Sequence, residues 1–331
     1  MGHSSGALSA RADVRAKLYS MRGADVFHHP ERSLPTLEDF RAAAARIAPY
    51  VRRTPVLRAT VDGRPVALKL EHLQVTGVFK IRGALNALLT AKPARVITAS
   101  GGNHGLGVAA AARWLGIPAT VFVPGTVPEV KARRIAAAGA DVAATGSKYA
   151  DAERAARELA DREGLYYVHA YDDPAVVAGQ GTVGLEIASD LPDCDVVAVP
   201  VGGGGLLAGV SAAIAPRRAV AVEPEGCPTL HAAVEAGTPV EVGAESVAAS
   251  ALGASRIGDL ALAAYRANPV GLALVSDQEI LGARDRLWEE FRLAVEPAAA
   301  TVFAAWLAGR VPGEAPCLLL SGANADWVPT H

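Results

Sequence analysis

From Pro65 onward the chain alternates short β-branched runs with Ala- and Leu-rich segments, and few folds accept that rhythm. The runs "PVALKL", "RVITAS", "ATVFVP", "DVAATG", "LYYVHA", "VVAVPV" and "RAVAVEP", with "CLLLSG" further on, read as strands. Between them "GLGVAAAARWLG", "EVKARRIAAAGA" and "DAERAARELADRE" read as helices. Strands that are apolar on both faces and separated by helices predict an α/β protein, with doubly wound, mainly parallel sheet covered on both sides. An earlier helix is expected at "PTLEDFRAAAARI", where Thr36 and Asp39 form a capping-box-like start. Residues 1–34 read as an N-terminal extension with a His28-His29 pair, taken as solvated rather than metal-binding.

Composition removes several function classes. With 51 % apolar and 20 % charged residues over 331 positions, the chain can bury a large core. A net charge of −2 gives no electrostatic reason to expect nucleic acid or an anionic membrane as partner. No apolar run approaches the ~18–20 residues of a membrane span, and "MGHSSGALSA" lacks the apolar core of a secretion signal. Cys194, Cys227 and Cys317 are too scattered for a disulfide framework or zinc site and read as buried thiols of a cytoplasmic protein.

In such sheets ligands bind where strands end and helices begin. Two of these junctions are rich in glycine. In "ITASGGNHGLGVAAAA" the residues Ser100, Gly101, Gly102 and Asn103 turn straight into a helix, which suits a carboxylate or phosphate. In "VVAVPVGGGGLLAGV" the four residues Gly202 to Gly205 let the backbone wrap an anion closely. This second junction also imitates a dinucleotide fingerprint. Gly203-x-Gly205-x-x-Ala208 follows a strand, and Glu223 ends the next one about 20 residues on. An NAD(P)-dependent dehydrogenase is therefore a rival, although it leaves the first junction and Lys80 unexplained. Lys80, in "TGVFKIRGALNALL", follows an aromatic and opens a helical run. An enclosed amine there can act as a base or a Schiff-base nucleophile. One ligand unites the three features: pyridoxal 5′-phosphate, its phosphate on Gly202–Gly205 and its aldehyde on Lys80.

The motifs "KLEHLQVTGVFKIRGALNAL", "SGGNHG", "PVGGGGLLAG", "VEP" and "LLLSGANAD" resemble, in order, those of pyridoxal-phosphate enzymes of the tryptophan-synthase-β fold, fold type II. Within that fold the chain is most similar to threonine/serine dehydratases and the related serine racemases. The resemblance runs from about Pro35 to Asp326. It implies that Lys80 carries the cofactor, that Phe79 flanks it, and that Asn103 contacts the ring hydroxyl oxygen. Gly202, Gly203, Gly204, Gly205 and Leu206 would hold the phosphate, and Ser321 the pyridine nitrogen. Ser100, Gly101, Asn103 and His104 would line the substrate carboxylate site, His104 in a passive role. A neutral serine at the pyridine nitrogen leaves the ring a weaker electron sink, which favours loss of a β-hydroxyl over transamination.

The implied activity is a cytoplasmic ammonia-lyase that turns L-threonine, L-serine or a related β-hydroxy amino acid into a 2-oxo acid and ammonia. A racemase or β-replacement enzyme of the same fold is the alternative, and a non-catalytic relative is disfavoured by Lys80, Asn103 and Ser321. The resemblance also implies a large domain (35–85 and 165–331) with a smaller one (86–164) inserted in it, and a homodimer or homotetramer. The short stretch after Ser321 leaves no room for a regulatory domain of the kind that longer relatives carry.

Some positions depart from the pattern. Val78 replaces a small residue, and Ser250 replaces a common aspartate, which opens the question of which substrate is preferred. Glu223 matches one ligand of a cation site found in some relatives, but Thr229 stands where a second carboxylate is expected, so a divalent or monovalent cation is left open. Lys131 and Arg82 read as solvated helix charges or structural ion pairs. Trp114, Trp288 and Trp306 read as core or interface residues.

Overall fold

A computed structural model describes residues 33–324. The early helix α1 (Leu37–Ile47) starts as its sequence predicts, with the Thr36 side chain and the Asp39 carboxylate closing a capping box. Then come β1 (Val56–Val61), β2 (Arg64–Lys69), α2 (Lys80–Ala91), β3 (Val96–Ala99), α3 (Asn103–Leu115), β4 (Ala119–Val123), α4 (Glu129–Ala137) and β5 (Asp141–Ala144). They are followed by α5 (Tyr149–Glu163), β6 (Tyr166–Tyr167), α6 (Pro174–Asp190), β7 (Val196–Pro200), α7 (Gly205–Ile214), β8 (Arg218–Pro224) and α8 (Thr229–Ala236). The last elements are α9 (Ala249–Leu252), α10 (Asp259–Ala267), β9 (Val270–Val275), α11 (Asp277–Phe291), α12 (Pro297–Leu307) and β10 (Pro316–Leu319).

Two sheets result. The larger has the order β1-β2-β10-β7-β8-β9, and the smaller β5-β4-β3-β6. Every pairing is parallel except β1 with β2. Strands β1 and β9, the two edges of the larger sheet, have no counterpart in the strand pattern read from the sequence. The central strands are buried throughout, so alternate residues serve opposite faces. Val196, Ala198 and Leu318 pack with Ile280 of α11 and Phe303 of α12. Val197, Val199 and Leu319 pack on the other face with Ile187 of α6 and Leu207 of α7. The smaller sheet extends from Val96 to Tyr167.

A buried ionic cluster ties the first part of the chain to α6. Lys69 at the end of β2 donates to Glu186 at 2.6 Å and to the Thr54 carbonyl at 2.7 Å. Arg82 in α2 donates to Glu71 through Nε (2.9 Å) and Nη2 (2.7 Å), and to Glu186 through Nη1 (2.8 Å). Arg82 is 1 % exposed, so of its two sequence readings the structural ion pair is the one realised. Burial by itself would raise the Glu71 carboxyl, yet Arg82's charge and forked hydrogen bonds hold it below its ordinary value. Trp306 is a core residue as read, whereas Trp114 is an exposed one.

Removing one member of such a cluster strands the others as uncompensated charges. Arg82→Met is expected to destabilise the protein by about 3–5 kcal/mol in urea unfolding. Arg133→Met removes an exposed i,i+4 partner of Glu129 and should cost under about 0.5 kcal/mol. Equal effects of the two substitutions would contradict the role given to Arg82.

Candidate active site

The site lies where β3, β7 and β10 end. After β3 the chain runs through Ser100 to Gly102 into α3, and the Ser100 hydroxyl accepts the Gly102 N–H at 3.2 Å. After β7 it passes through the four glycines into α7. Neither helix has a side chain capping its first N–H groups. The second turn is clamped from all sides. A Cβ on Gly202 would come within 2.8 Å of the Leu252 backbone, one on Gly205 within 2.7 Å of the Tyr171 carbonyl, and one on Gly203 would enter the Tyr171 ring. Gly204 has φ +85°, the left-handed conformation that glycine adopts without strain. The Thr229 hydroxyl, 2.6 Å from the Gly202 carbonyl, secures the turn from α8.

Lys80 and Phe79 stand opposite this turn. The Phe79 N–H donates to the Ser321 carbonyl at 3.2 Å, which fixes the start of α2 to the end of β10. The Lys80 amine donates to the Ala170 carbonyl at 2.8 Å. Desolvation lowers its pKa to about 8, so the amine gives up its proton far more readily than an exposed lysine. Lys80, Phe79, Asn103, Gly202, Gly203, Gly204, Gly205, Leu206 and Ser321 line one cavity. Ser321 is 2 % exposed. An adjoining cavity shares Asn103 with the first and adds Gly101, Gly102, Lys131 and Ser250. The structure therefore brings together Lys80, both turns and Ser321.

His104 sits differently. It is buried, its ring nitrogen Nε2 lies 3.2 Å from the Val168 carbonyl, and it lines neither of these two cavities. Burial first, then the nearby Lys80, depress its pKa to about 3, which keeps the ring neutral.

Glu223 is fully engaged. Its carboxylate lies 2.9 Å from the Thr229 hydroxyl and accepts the Leu230 N–H (2.7 Å) and the His231 N–H (3.0 Å), and His231 Nδ1 is 2.7 Å away. It caps the start of α8, so the dinucleotide reading loses its ribose-binding carboxylate. Among the described residues no group of three or more His, Cys, Asp or Glu could hold a metal ion.

Sequence reading passed over Glu296, Asn324 and Tyr171. Glu296 precedes α12, is 3 % exposed, and lines both cavities. Burial raises its carboxyl to about 7, opposed by the Asn103 amide, the Lys131 charge and the Asn324 backbone. The available signal was a carboxylate opening the otherwise apolar helix "PAAATVFAAWL".

The donor set fits a phosphorylated aldehyde. The glycine cradle has space for an anion and none for side chains, and an amine of lowered pKa faces it. Comparison with known proteins agrees, and the chain belongs to the pyridoxal-phosphate dependent enzyme family, whose profile matches residues 47–322. It is 37 % identical over 304 residues to the L-threonine ammonia-lyase of Thermotoga maritima, covering 88 % of this chain and 76 % of that protein. It is also 37 % identical over 311 residues to the phenylserine dehydratase of Ralstonia pickettii, covering 89 % and 94 %. Among solved structures, the T.th. threonine deaminase superposes with a TM-score of 0.83 at 38 % identity, covering 89 % of this chain and all (100 %) of that one. Maize serine racemase gives 0.81 at 31 % identity, covering 88 % and 94 %. These likenesses extend through the whole α/β architecture expected from the strand pattern, that of fold type II.

Glu296 makes stability depend on pH. The unfolded chain sheds this proton above about 4.5, whereas the folded chain keeps it up to about 7. Between those values the folded state binds more protons, and stability falls as pH rises. In urea unfolding of the apoprotein, Glu296→Gln should gain on the parent between pH 5 and pH 8, by up to about 3 kcal/mol at ~1.4 kcal/mol per pH unit. A difference independent of pH would show that the carboxyl ionises as readily folded as unfolded.

Proposed function

We propose that this chain is a lyase that removes the β-hydroxyl of a small β-hydroxy amino acid, L-threonine or L-serine in the first instance. The observation that carries the reading is the unprotonated-prone amine of Lys80, held in one cavity with the Gly202–Gly205 cradle, Asn103 and Ser321. Relatives named for threonine and serine ammonia-lyase activity support it. Bound in the cradle through its phosphate, pyridoxal phosphate supplies the electron sink that acidifies the substrate Cα–H.

The chain's own residues do the rest. The turn Ser100–Asn103 binds the substrate carboxylate with backbone N–H groups at the foot of α3. Lys80, which would hold the cofactor's aldehyde, would accept the Cα proton when its amine is free, its pKa of about 8 suiting a base. The Ser321 hydroxyl offers the pyridine nitrogen a neutral partner, which suits departure of the β-hydroxyl. The net change is loss of water to an enamine, which takes up water again and leaves as a 2-oxo acid and ammonium. Residues 86–164 act as a smaller domain that closes over the substrate. The protein works as a homodimer or homotetramer in the cytoplasm; among the described residues no helix is long and apolar enough to cross a membrane.

A panel of β-hydroxy amino acids assayed for 2-oxo acid tests this directly. Borohydride reduction followed by peptide mapping should place a pyridoxyl group on Lys80, and Lys80→Ala should lower turnover at least about a thousandfold, ~4 kcal/mol of barrier. A near-normal rate would remove Lys80 from the mechanism.

Elimination should also outrun inversion. Gly101 offers no side chain in the turn, and a Cβ there would meet Val127 at 2.6–3.5 Å. The turn therefore supplies no second acid–base group, and Lys80 acts at Cα from one face. With L-serine, D-serine formed as fast as pyruvate would contradict this.

A further inference from the structure

The amide of Asn103 has a direction, and the structure fixes it from a distance. The main-chain carbonyl of Thr76 can only accept. It takes one N–H of Asn324 Nδ2 at 3.2 Å. The other N–H of that nitrogen goes to Asn103 Oδ1 at 3.1 Å. With its oxygen engaged there, Asn103 turns its Nδ2 toward Glu296, 2.9 Å from Oε1 and 3.1 Å from Oε2. The series Thr76–Asn324–Asn103–Glu296 therefore has its polarity set at a backbone group that cannot reverse. Asn103 Nδ2 thus meets both carboxylate oxygens of Glu296 while the residue also lines the cavity of Lys80 and Ser321.

The packing around the series leaves little room for rearrangement. Gly77, at φ +74°, would carry a Cβ 2.8 Å from Asn324 Oδ1, and a Cβ on Gly322 would collide with Glu296 Oε1. The Ala323 N–H donates to the Gly77 carbonyl at 2.9 Å and the Glu296 N–H to the Gly322 carbonyl at 3.0 Å, so both ends are held by backbone. The groups facing Glu296 are Asn103 from α3, Lys131 from α4 and the Asn324 backbone.

We propose that Asn324 and Glu296 are positioning residues that hold the Asn103 amide with an N–H, and not its oxygen, presented to the cofactor's ring hydroxyl oxygen. The proposal rests on Asn103 facing that oxygen. An N–H donor there stabilises the oxygen as an anion, whereas a reversed amide would set two acceptors against each other. The carboxyl's elevated pKa fits its place, since a proton on Glu296 leaves a carbonyl oxygen free to accept from Asn103.

The test uses holoenzyme and the visible absorption of the bound cofactor titrated against pH. Asn103→Ala removes the donor and should raise the midpoint by about one pH unit, the size of one charge-assisted hydrogen bond. Asn324→Asp has no N–H to give and would draw Asn103 Nδ2 to itself, reversing the amide. It should raise the midpoint at least as far as Asn103→Ala and lower kcat about tenfold, with KM changed less than about threefold. Glu296→Leu removes an acceptor but leaves the polarity intact, so its shift should be smaller. If Asn103→Ala moves the midpoint and Asn324→Asp does not, the positioning role is wrong. If Asn103→Ala itself has no effect, Asn103 does not face the ring and the proposal falls with that reading. A drop in melting temperature with an unchanged midpoint would likewise overturn it, as a packing role alone. Should Asn324→Asp fail to bind cofactor, Asn324→Ala replaces it, with about half the shift expected and no shift counting against the proposal. None of these midpoint readouts depends on which amino acid is the substrate.

Discussion

The cluster of Lys69, Glu186, Arg82 and Glu71 is the joint on which the site depends. It gathers the end of β2, the turn after it, the first turn of α2 and the later part of α6 around charges that have little access to water. Arg82 lies two residues beyond Lys80, so its forked bonds to Glu71 and Glu186 hold the helix start that carries the reactive amine. Hydrophobic packing alone would allow that helix to slide or rotate among arrangements of similar energy. Paired charges in a low-dielectric interior tolerate few arrangements, because any that breaks a pair leaves an ion unsolvated. The second hold on the same helix is the Phe79 N–H on the Ser321 carbonyl. Between them Lys80 and Ser321 share a rigid frame.

Within that frame the environment moves two groups toward neutrality from opposite sides. Desolvation brings the Lys80 ammonium down to about 8 and the Glu296 carboxyl up to about 7. Both shifts have the same cause, withdrawal of water from a charged form, and they differ in sign only because one acid is cationic and the other neutral. The cavity at the Gly202–Gly205 turn presents backbone dipoles that are already oriented, whereas the adjoining cavity also carries the cationic side chains of Lys131 and Arg134.

The fold was legible because its signals are local. Buried parallel strands announce themselves by uninterrupted β-branched runs, and turns such as Gly202–Gly205 by composition. Strands β1 and β9, at the two edges of the larger sheet, were not read. Lys80 and the two glycine turns, which motif spacing marks, lie side by side in the structure. Motif spacing does not mark Glu296 and Asn324, since their importance lies in hydrogen bonds to Asn103 across more than 190 residues of chain. His104 shows the converse. Its place in a glycine-rich turn reads as ligand-facing, yet its ring is turned to the Val168 carbonyl. Sequence position specifies a backbone location and leaves the χ angles to tertiary packing.

The order of strands in the larger sheet has a consequence for biosynthesis. Strand β2 hydrogen-bonds with β10, which lies near the far end of the sequence, and β7 pairs with β10 on its other side. Until that final strand is translated, the sheet has a gap at its centre and Leu68 and Val197 lack their neighbour. Lys80 leaves the ribosome well before Ser321 and the far side of their shared cavity. The cavity that Lys80 shares with Ser321 is therefore complete only once β10 has been translated, and until then the apolar strand edges stand open to chaperones.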